Sequence, residues 1–278
     1  MKTPTQGYNL MIEVDNFNLS YDDIGEGVIP IVFLHGFPFD KMMWQKQMEF
    51  LKTTHRVIAC DIRGFGKSKD EESRLDIDLF ANDLILFIDK LGFKKVIICG
   101  LSMGGYIALN AIKRFPGRFE ALMLCDTQCI ADSHYVLGKR YATIEYIKEF
   151  GTGNFNEEFI KKVFHESSLT HKPDLVEQLR NVVFSNSQHI IIQGLMALAE
   201  RSETCSFLDE IAIPTLIICG RADVVTPLTE SKFMNKNIKG SVLHVINNAG
   251  HVSNLEEPVK FNKHLRNFLN DFCNAKVR

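Results

Sequence analysis

The chain has 278 residues, a formal net charge of −2 and 45% hydrophobic residues, which are ordinary values for a soluble globular protein. So small a charge gives no general attraction to nucleic acid or to an anionic membrane, and we expect neither as a partner. No segment reaches the roughly 18 uninterrupted apolar residues that a membrane span needs, and residues 1–6 lack the apolar centre of a signal peptide.

Apolar runs and helical periodicity alternate over the first part of the chain. The predicted elements are a strand pair over residues 10–21, strands over 29–34, 56–60, 95–99 and 121–125, and helices over 44–51, 77–91 and 103–115. The continuous apolar run over 29–34 is typical of a strand in the buried interior of a parallel sheet. This alternation predicts an α/β fold, with a mostly parallel sheet covered by helices on both faces.

The pattern changes at about residue 127, where strand-like runs disappear. Four helices are predicted instead, over residues 135–150, 156–166, 173–184 and 188–200. The alternation then resumes with strands over 215–219 and 242–246 and helices over 229–237 and 258–272. We therefore predict a core domain of residues 1–126 and 208–278, interrupted by a helical cap of residues 127–207.

Seven cysteines are present, an odd number, and none shows a Cys-x-x-Cys spacing. This favours free thiols in a reducing compartment over a disulfide framework or a zinc site, and a cytoplasmic location is predicted. Four of the cysteines end predicted core strands: Cys60, Cys99, Cys125 and Cys219. They are expected to be small buried apolar residues. A sharper alternative is that some lie beneath the active site and make the protein sensitive to thiol reagents.

The sequence Gly-Leu-Ser-Met-Gly-Gly at residues 100–105 stands where a predicted strand meets a predicted helix. Glycines on both sides permit a tight, strained turn that would present the Ser102 hydroxyl as a nucleophile. A serine hydroxyl needs a base near neutral pH, and that base needs orientation. Asp223 and His251 each follow a predicted strand. Ligand sites in open α/β sheets lie at such strand ends.

The order Ser102, Asp223, His251 resembles that of the α/β-hydrolase family. Further matching segments are His-Gly-Phe-Pro at 35–38, Asp-Ile-Arg-Gly-Phe-Gly-Lys-Ser at 61–68, Gly-Arg-Ala-Asp at 220–223, and Ala-Gly-His at 249–251 with its continuation to Pro258. The chain is similar to small carboxylesterases and enol-lactone hydrolases with a helical cap. The resemblance covers almost the whole chain, and it implies an eight-stranded, mostly parallel sheet flanked by helices.

The resemblance also implies a role for each catalytic residue. Ser102 attacks the carbonyl, and His251 takes its proton and later returns one to the leaving group. Asp223 holds the imidazole in its tautomer and stabilises the cation that forms. Asp126 is a second candidate for the acid, because it too ends a predicted strand and some family members place the acid there. Asp223 is favoured, and Asp126 is expected to be a hydrogen-bonding partner at the cap junction.

Backbone groups complete the implied site. The N–H groups of Phe37 and Met103 would form the oxyanion hole. Phe37 and Tyr106 are candidates for the substrate pocket. No metal and no organic cofactor is required, and the expected partners are a small-molecule ester or lactone and water. The oligomeric state, a homo-oligomer included, is left open.

The leading hypothesis is therefore a serine hydrolase of carboxylic esters, with lactones in the same class. One alternative is hydrolysis of a C–C bond in a diketone-type substrate, which uses the same triad. Another is perhydrolase chemistry of the non-heme haloperoxidase type, in which peroxide replaces water at the acyl-enzyme. A third alternative, from a different class, is a non-catalytic ligand receptor on the same fold.

Overall fold

A computed structural model of the protein describes residues 6–277. Most of the stretch inspected for a signal peptide, residues 1–6, lies outside the described residues. Across the described chain, eight strands form one sheet: β1 (Gly7–Val14), β2 (Phe17–Ile24), β3 (Ile31–Leu34), β4 (Val57–Cys60), β5 (Val96–Leu101), β6 (Phe119–Cys125), β7 (Thr215–Gly220) and β8 (Val242–Ile246). The spatial order is β1-β2-β4-β3-β5-β6-β7-β8.

The helices of the described chain follow the same alternation. They are α1 (Gln45–Leu51), α2 (Ile77–Lys90), α3 (Met103–Arg114), α4 (His134–Phe150), α5 (Gly153–Val163), α6 (Glu166–His171), α7 (Pro173–Phe184), α8 (Gln188–Glu200), α9 (Leu228–Asn237), α10 (Ser253–Glu256) and α11 (Pro258–Val277). Short 3-10 helices lie at Lys41–Trp44, Pro116–Arg118 and Cys205–Glu210. We refer to α4–α8, which lie between β6 and β7 in the chain, as the inserted helices.

The sheet is mostly parallel. β1 pairs with β2 and β2 with β4 in antiparallel fashion, whereas the other neighbours are parallel. Alternate side chains of β3 enter the two apolar cores on opposite faces of the sheet, because successive residues of a strand point to opposite sides. Val32 and Leu34 enter one core, and Ile31 and Phe33 enter the other. The prediction of a mostly parallel eight-stranded sheet flanked by helices is confirmed.

One predicted helix is wrong in detail. The helix expected over residues 156–166 ends at Val163, and α6 begins three residues later. Phe164 is extended and buried in the core, which interrupts the helix. His165 then starts α6, because its Nδ1 accepts a hydrogen bond from the N–H of Ser167. Residues 164–165 therefore form an extended segment rather than a helical turn.

The cysteine prediction is also wrong in part. Cys129 and Cys205, 76 residues apart, form a disulfide. They meet because β6 and β7 are neighbours in the sheet, so both ends of the inserted segment leave from the same place. Disulfides persist mainly in oxidising compartments, so the cysteine argument for a reducing compartment fails, and the cytoplasmic location stays a prediction.

The four cysteines assigned to core strands are buried free thiols, as expected. Cys60 and Cys125 end their strands, whereas β5 continues for two residues beyond Cys99 and β7 for one beyond Cys219. As for the helices within 6–277, none alone has the length and apolarity of a membrane span, although the sharply bent pair α7 and α8 together passes that test.

Candidate active site

Ser102 lies at the turn between β5 and α3. Its backbone is in an unusual conformation, with φ 53° and ψ −116°, which a non-glycine residue rarely adopts. The flanking glycines allow very close approach of the backbone. A Cβ on Gly100 would lie 2.2 Å from the carbonyl oxygen of Gly104, and a Cβ on Gly104 would lie 2.3 Å from that of Leu34. The turn therefore holds Ser102 at the carboxyl end of the central strands.

Asp223 and His251 come together beside this turn, one after β7 and the other after β8. The Nδ1 atom of His251 lies 2.8 Å from Oδ2 of Asp223. The other oxygen of Asp223 accepts hydrogen bonds from the N–H groups of Val225 and Thr226, and the Thr226 hydroxyl donates to Oδ2. Burial alone would raise the pKa of Asp223, but the charge of His251 and these hydrogen bonds hold it below its usual range.

The loop after β3 lies against Ser102. A Cβ on Gly36 would lie 3.2 Å from the Cβ of Ser102, so Phe37 is next to the turn. His35 holds the loop: its Nδ1 donates to the carbonyl of Gly36, and its Nε2 accepts from the N–H of Ile62. Burial lowers the pKa of His35 to about 4, so the neutral ring can make both bonds. Met103 follows Ser102 in the chain, and Phe37 lies in the loop that packs against it. Both residues are therefore where the resemblance expects the oxyanion donors.

A cavity of about 740 Å³ connects these residues with the inserted helices. Ser102, His251, Phe37 and Tyr106 line it from the sheet side of the chain. Most of its lining comes from the inserted segment, with apolar, aromatic and charged residues that include Ile130, Asp132, Arg140, Phe155, Phe159 and Leu195. Both residues predicted to bind substrate, Phe37 and Tyr106, thus face the same space as the serine and histidine.

The chain matches known proteins over most of its length. A family model described as the alpha/beta hydrolase fold matches residues 29–258, most of the chain. The chain belongs to the α/β-hydrolase family. It is 31% identical to the AB hydrolase superfamily protein YisY of Bacillus subtilis, over 92% of this chain and 97% of that protein.

Two further relatives carry more specific names. The α/β-hydrolase chain is 28% identical to 3-oxoadipate enol-lactonase 2 of Acinetobacter baylyi, over 88% of this chain and 90% of that one. It is 31% identical to a thermophilic esterase from Thermogutta terrifontis, whose structure superposes with a TM-score of 0.89 over 95% of this chain and 98% of that one. Its similarity to these esterase and lactonase relatives identifies this chain as a hydrolase.

Asp126, the second candidate for the catalytic acid, forms its hydrogen bonds with residues other than His251 in this α/β-hydrolase. Its Oδ1 accepts from the N–H of Gly220 at 2.7 Å, and its Oδ2 lies 2.5 Å from the hydroxyl of Ser253. Burial and the charge of Asp223 raise the pKa of Asp126 well above its usual range. The carboxyl that contacts His251 is thus Asp223, while Asp126 ties the ends of β6 and β7 to α10.

The potential ligand atoms of Asp126, Cys219 and Asp223 all lie within 4.8 Å of one another. The oxygens of both carboxyl groups are engaged in the hydrogen bonds described above. Burial and the nearby carboxylates raise the pKa of the Cys219 thiol, whereas a metal binds the thiolate. This group therefore suits a hydrogen-bonded support beneath the site better than a metal centre.

Three residues that form hydrogen bonds around the site were not predicted from the sequence: Thr226, Ser253 and Glu256, whose carboxylate accepts from the N–H of Gly250 next to His251. Thr226 lies three residues after Asp223, a spacing at which an aspartate side chain often accepts backbone hydrogen bonds. Ser253 and Glu256 fall within the matched segment that follows His251. Their spacing from the histidine was the available signal, but it does not reveal which groups they bind.

Proposed function

We propose that this hydrolase cleaves carboxylic esters of small molecules, lactones among them, through an acyl-enzyme on Ser102. The observation that carries the proposal is the pairing of Asp223 with His251 at a cavity that Ser102 also lines. The names of the esterase and enol-lactonase relatives support esters and lactones as the substrate class.

In this reaction the Ser102 oxygen bonds to the substrate carbonyl carbon while His251 takes the hydroxyl proton at Nε2. The C–O bond to the leaving group then breaks, and the same proton passes to the departing alcohol. Water attacks the acyl-enzyme in the second half, again giving its proton to His251. Asp223 stays ionised, orients the ring through Nδ1 and stabilises the imidazolium that forms twice per cycle.

The negative charge that develops on the carbonyl oxygen would be stabilised by the N–H groups of Phe37 and Met103. Met103 is the first residue of α3, and a helix N-terminus favours negative charge. Removal of one such donor costs roughly 3 to 4 kcal/mol of transition-state stabilisation in comparable sites. Because both donors belong to the backbone, side-chain substitutions here should alter cavity shape more than charge stabilisation.

We also propose that residues 1–126 and 208–278 act as the catalytic core and residues 127–207 as a cap. The position of the inserted helices between β6 and β7 supports this division. So does the cavity, because Ser102 and His251 of the core line it together with many residues of the inserted segment. Phe37 and Tyr106 would contact the substrate from the core side.

The test uses short-chain p-nitrophenyl esters and a fluorophosphonate probe. The wild-type protein should hydrolyse the esters and be labelled at Ser102, and Ser102→Ala should lose at least about 10⁴-fold in kcat and all labelling. Far-UV circular dichroism and the unfolding midpoint of the variant serve as folding controls. Comparable turnover by Ser102→Ala would refute the nucleophile assignment.

Other outcomes would redirect the proposal. Labelling of Ser102 without turnover of esters or lactones would shift the reaction to C–C bond hydrolysis or perhydrolysis, tested with a vinylogous diketone and with peroxide. Neither labelling nor turnover would point to a ligand receptor.

A further inference from the structure

The carboxylate of Glu256 connects the loop that carries His251 to the inserted helices. We propose that Glu256 is a positioning residue that fixes the position of His251 relative to Ser102. Because Glu256 also binds the inserted segment, the position of His251 then depends on the position of the inserted helices. This inference rests on the proposed function, since it assigns Glu256 a part in the same reaction. Glu256 itself is five residues beyond His251, at the end of α10.

The two oxygens of Glu256 bind two different parts of the molecule. Oε2 accepts a hydrogen bond from the N–H of Gly250 at 2.7 Å, in the residue immediately before His251. Oε1 accepts from the N–H of His165 at 2.9 Å, in the extended segment between α5 and α6. The side chain is 1% exposed, so water does not compete for these bonds. One buried carboxylate thus joins the catalytic loop to the inserted segment.

A direct contact runs beside this bridge. The N–H of His251 donates to the carbonyl of Val163 at 2.8 Å. Gly250 allows the two backbones to approach this closely, because a Cβ there would lie 2.7 Å from the carbonyl oxygen of Val163 and 2.8 Å from the nitrogen of His165. The backbone of His251 is therefore held by residues 163–165, while Asp223 holds its ring.

This arrangement has a consequence for the reaction geometry. Asp223 fixes the rotation of the imidazole ring, whereas the backbone contacts fix the position of the His251 backbone from which the side chain extends. A displacement of about 1 Å can reduce a rate about 100-fold when it misaligns reacting groups. Glutamine at position 256 has one acceptor and one donor, so it can satisfy Gly250 or His165 but would direct its NH₂ at the other N–H.

The first experiment compares Glu256→Gln with Glu257→Gln. Glu257 is the matched control, since it is the adjacent carboxylate but pairs near the surface with Lys172 and Lys260. End-point labelling by a fluorophosphonate counts the folded sites, and kcat and KM on a p-nitrophenyl ester are measured per labelled site. We expect kcat of Glu256→Gln to fall 10- to 100-fold with KM within threefold, and both constants of Glu257→Gln to stay within twofold.

A merely structural role for Glu256 would lower the number of labelled sites without changing kcat per site. That result would overturn the proposal, and so would a Glu256→Gln variant with wild-type kcat. If Glu256→Gln yields no folded protein, the second experiment decides alone.

The second experiment removes only the inserted side of the bridge. His165 has φ −65°, which proline adopts, and the preceding Phe164 is extended with ψ 151°, as a residue before proline prefers. His165→Pro therefore removes the N–H that donates to Glu256 and places the ring Cδ against Oε1, which breaks this side of the bridge while the backbone dihedral angles can stay as they are. His165→Ala is the control, because it keeps that N–H and loses only the ring.

We expect kcat per labelled site to fall at least threefold in His165→Pro and to stay within twofold of wild type in His165→Ala. Equal kcat in the two variants would overturn the link to the inserted helices. Failure of the proposed function looks different, since wild-type protein would then show no turnover of the ester, whether or not Ser102 is labelled. Labelled, active wild-type protein with unaffected variants would refute the role of Glu256 alone.

Discussion

The strand ends of the sheet and the inserted helices line the same cavity but hold their side chains in different ways. Ser102, Asp223 and His251 are almost fully buried. The side chains of Asp223 and His251 are paired with each other, and the backbone N–H of Ser102 donates to the carbonyl of Cys125. In α4, by contrast, two of 17 residues are buried, and Tyr135 is 71% exposed. The reacting groups thus belong to the densely packed region, whereas much of the cavity wall belongs to a sparsely buried one.

This difference suggests a division of labour that mutations can test. Substitutions at the strand ends should change kcat for every substrate alike, because they act on the common chemical step. Substitutions on the inserted helices should change the preference among substrates, because these helices supply much of the cavity lining and so affect its shape.

The largest effect is expected at the acid. Asp223→Asn should reduce kcat about 10³- to 10⁴-fold on any ester, because an amide cannot stabilise the imidazolium or keep its tautomer. Asp126→Asn should cost less than tenfold, since the amide oxygen can accept from the N–H of Gly220 and the Ser253 hydroxyl, which donates to Asp126, can rotate to accept from the amide nitrogen. Steady-state kinetics of the two variants give the ranking. The reverse ranking would assign the acid to Asp126.

A smaller and more selective effect is expected on the inserted side. Phe155 lines the cavity with its ring 6.4 Å from that of Phe37. Phe155→Ala should lower kcat/KM for an octanoyl ester about tenfold and leave an acetyl ester within threefold, since an apolar pocket contact is worth roughly 1–3 kcal/mol.

Phe150→Ala is the matched control for Phe155, because Phe150 lies on the inserted helices but is 63% exposed and outside the cavity lining. It should change neither ester. An equal loss for both esters in Phe155→Ala would mean that the inserted helices support the chemical step itself, and the division between the two regions would fail.

A further prediction concerns Asp126 and measures stability rather than rate. Its raised pKa means that the folded protein keeps a proton that the unfolded chain releases near pH 4. The free energy of unfolding therefore falls as pH rises from about 4 toward the folded pKa, by at most about 1.4 kcal/mol per pH unit. Asparagine does not titrate, so Asp126→Asn does not lose stability in this way. The free energy of unfolding of Asp126→Asn minus that of the wild type, measured by urea unfolding, should therefore increase from pH 4.5 to pH 7. A constant difference would show that Asp126 is ionised in the folded state.

How much the sequence could predict differs between the same two regions. The strands of the sheet lie within a few residues of their predicted positions, because continuous apolar runs mark buried strands. The turn at Ser102 and the partners Asp223 and His251 were predictable because each follows a strand and carries a local motif.

The inserted region was less predictable for physical reasons. The helix breaks at Phe164 because the side chain of Phe164 packs in the core. This is a tertiary contact, and helical periodicity in the sequence cannot predict it. The pairing of Cys129 with Cys205 depends on two distant segments leaving neighbouring strands. The bridge from Glu256 to His165 likewise joins residues 91 positions apart, and no spacing rule anticipates it.

The Cys129–Cys205 disulfide turns the stretch between these residues into a covalent ring. A protease that cuts this ring once produces two polypeptides that remain one molecule, because the bond still joins them. The nicked protein would run as a single species on a non-reducing gel and separate into two on a reducing one. The chain can therefore be cut once in a surface loop between the inserted helices, and the disulfide will still hold the two fragments together.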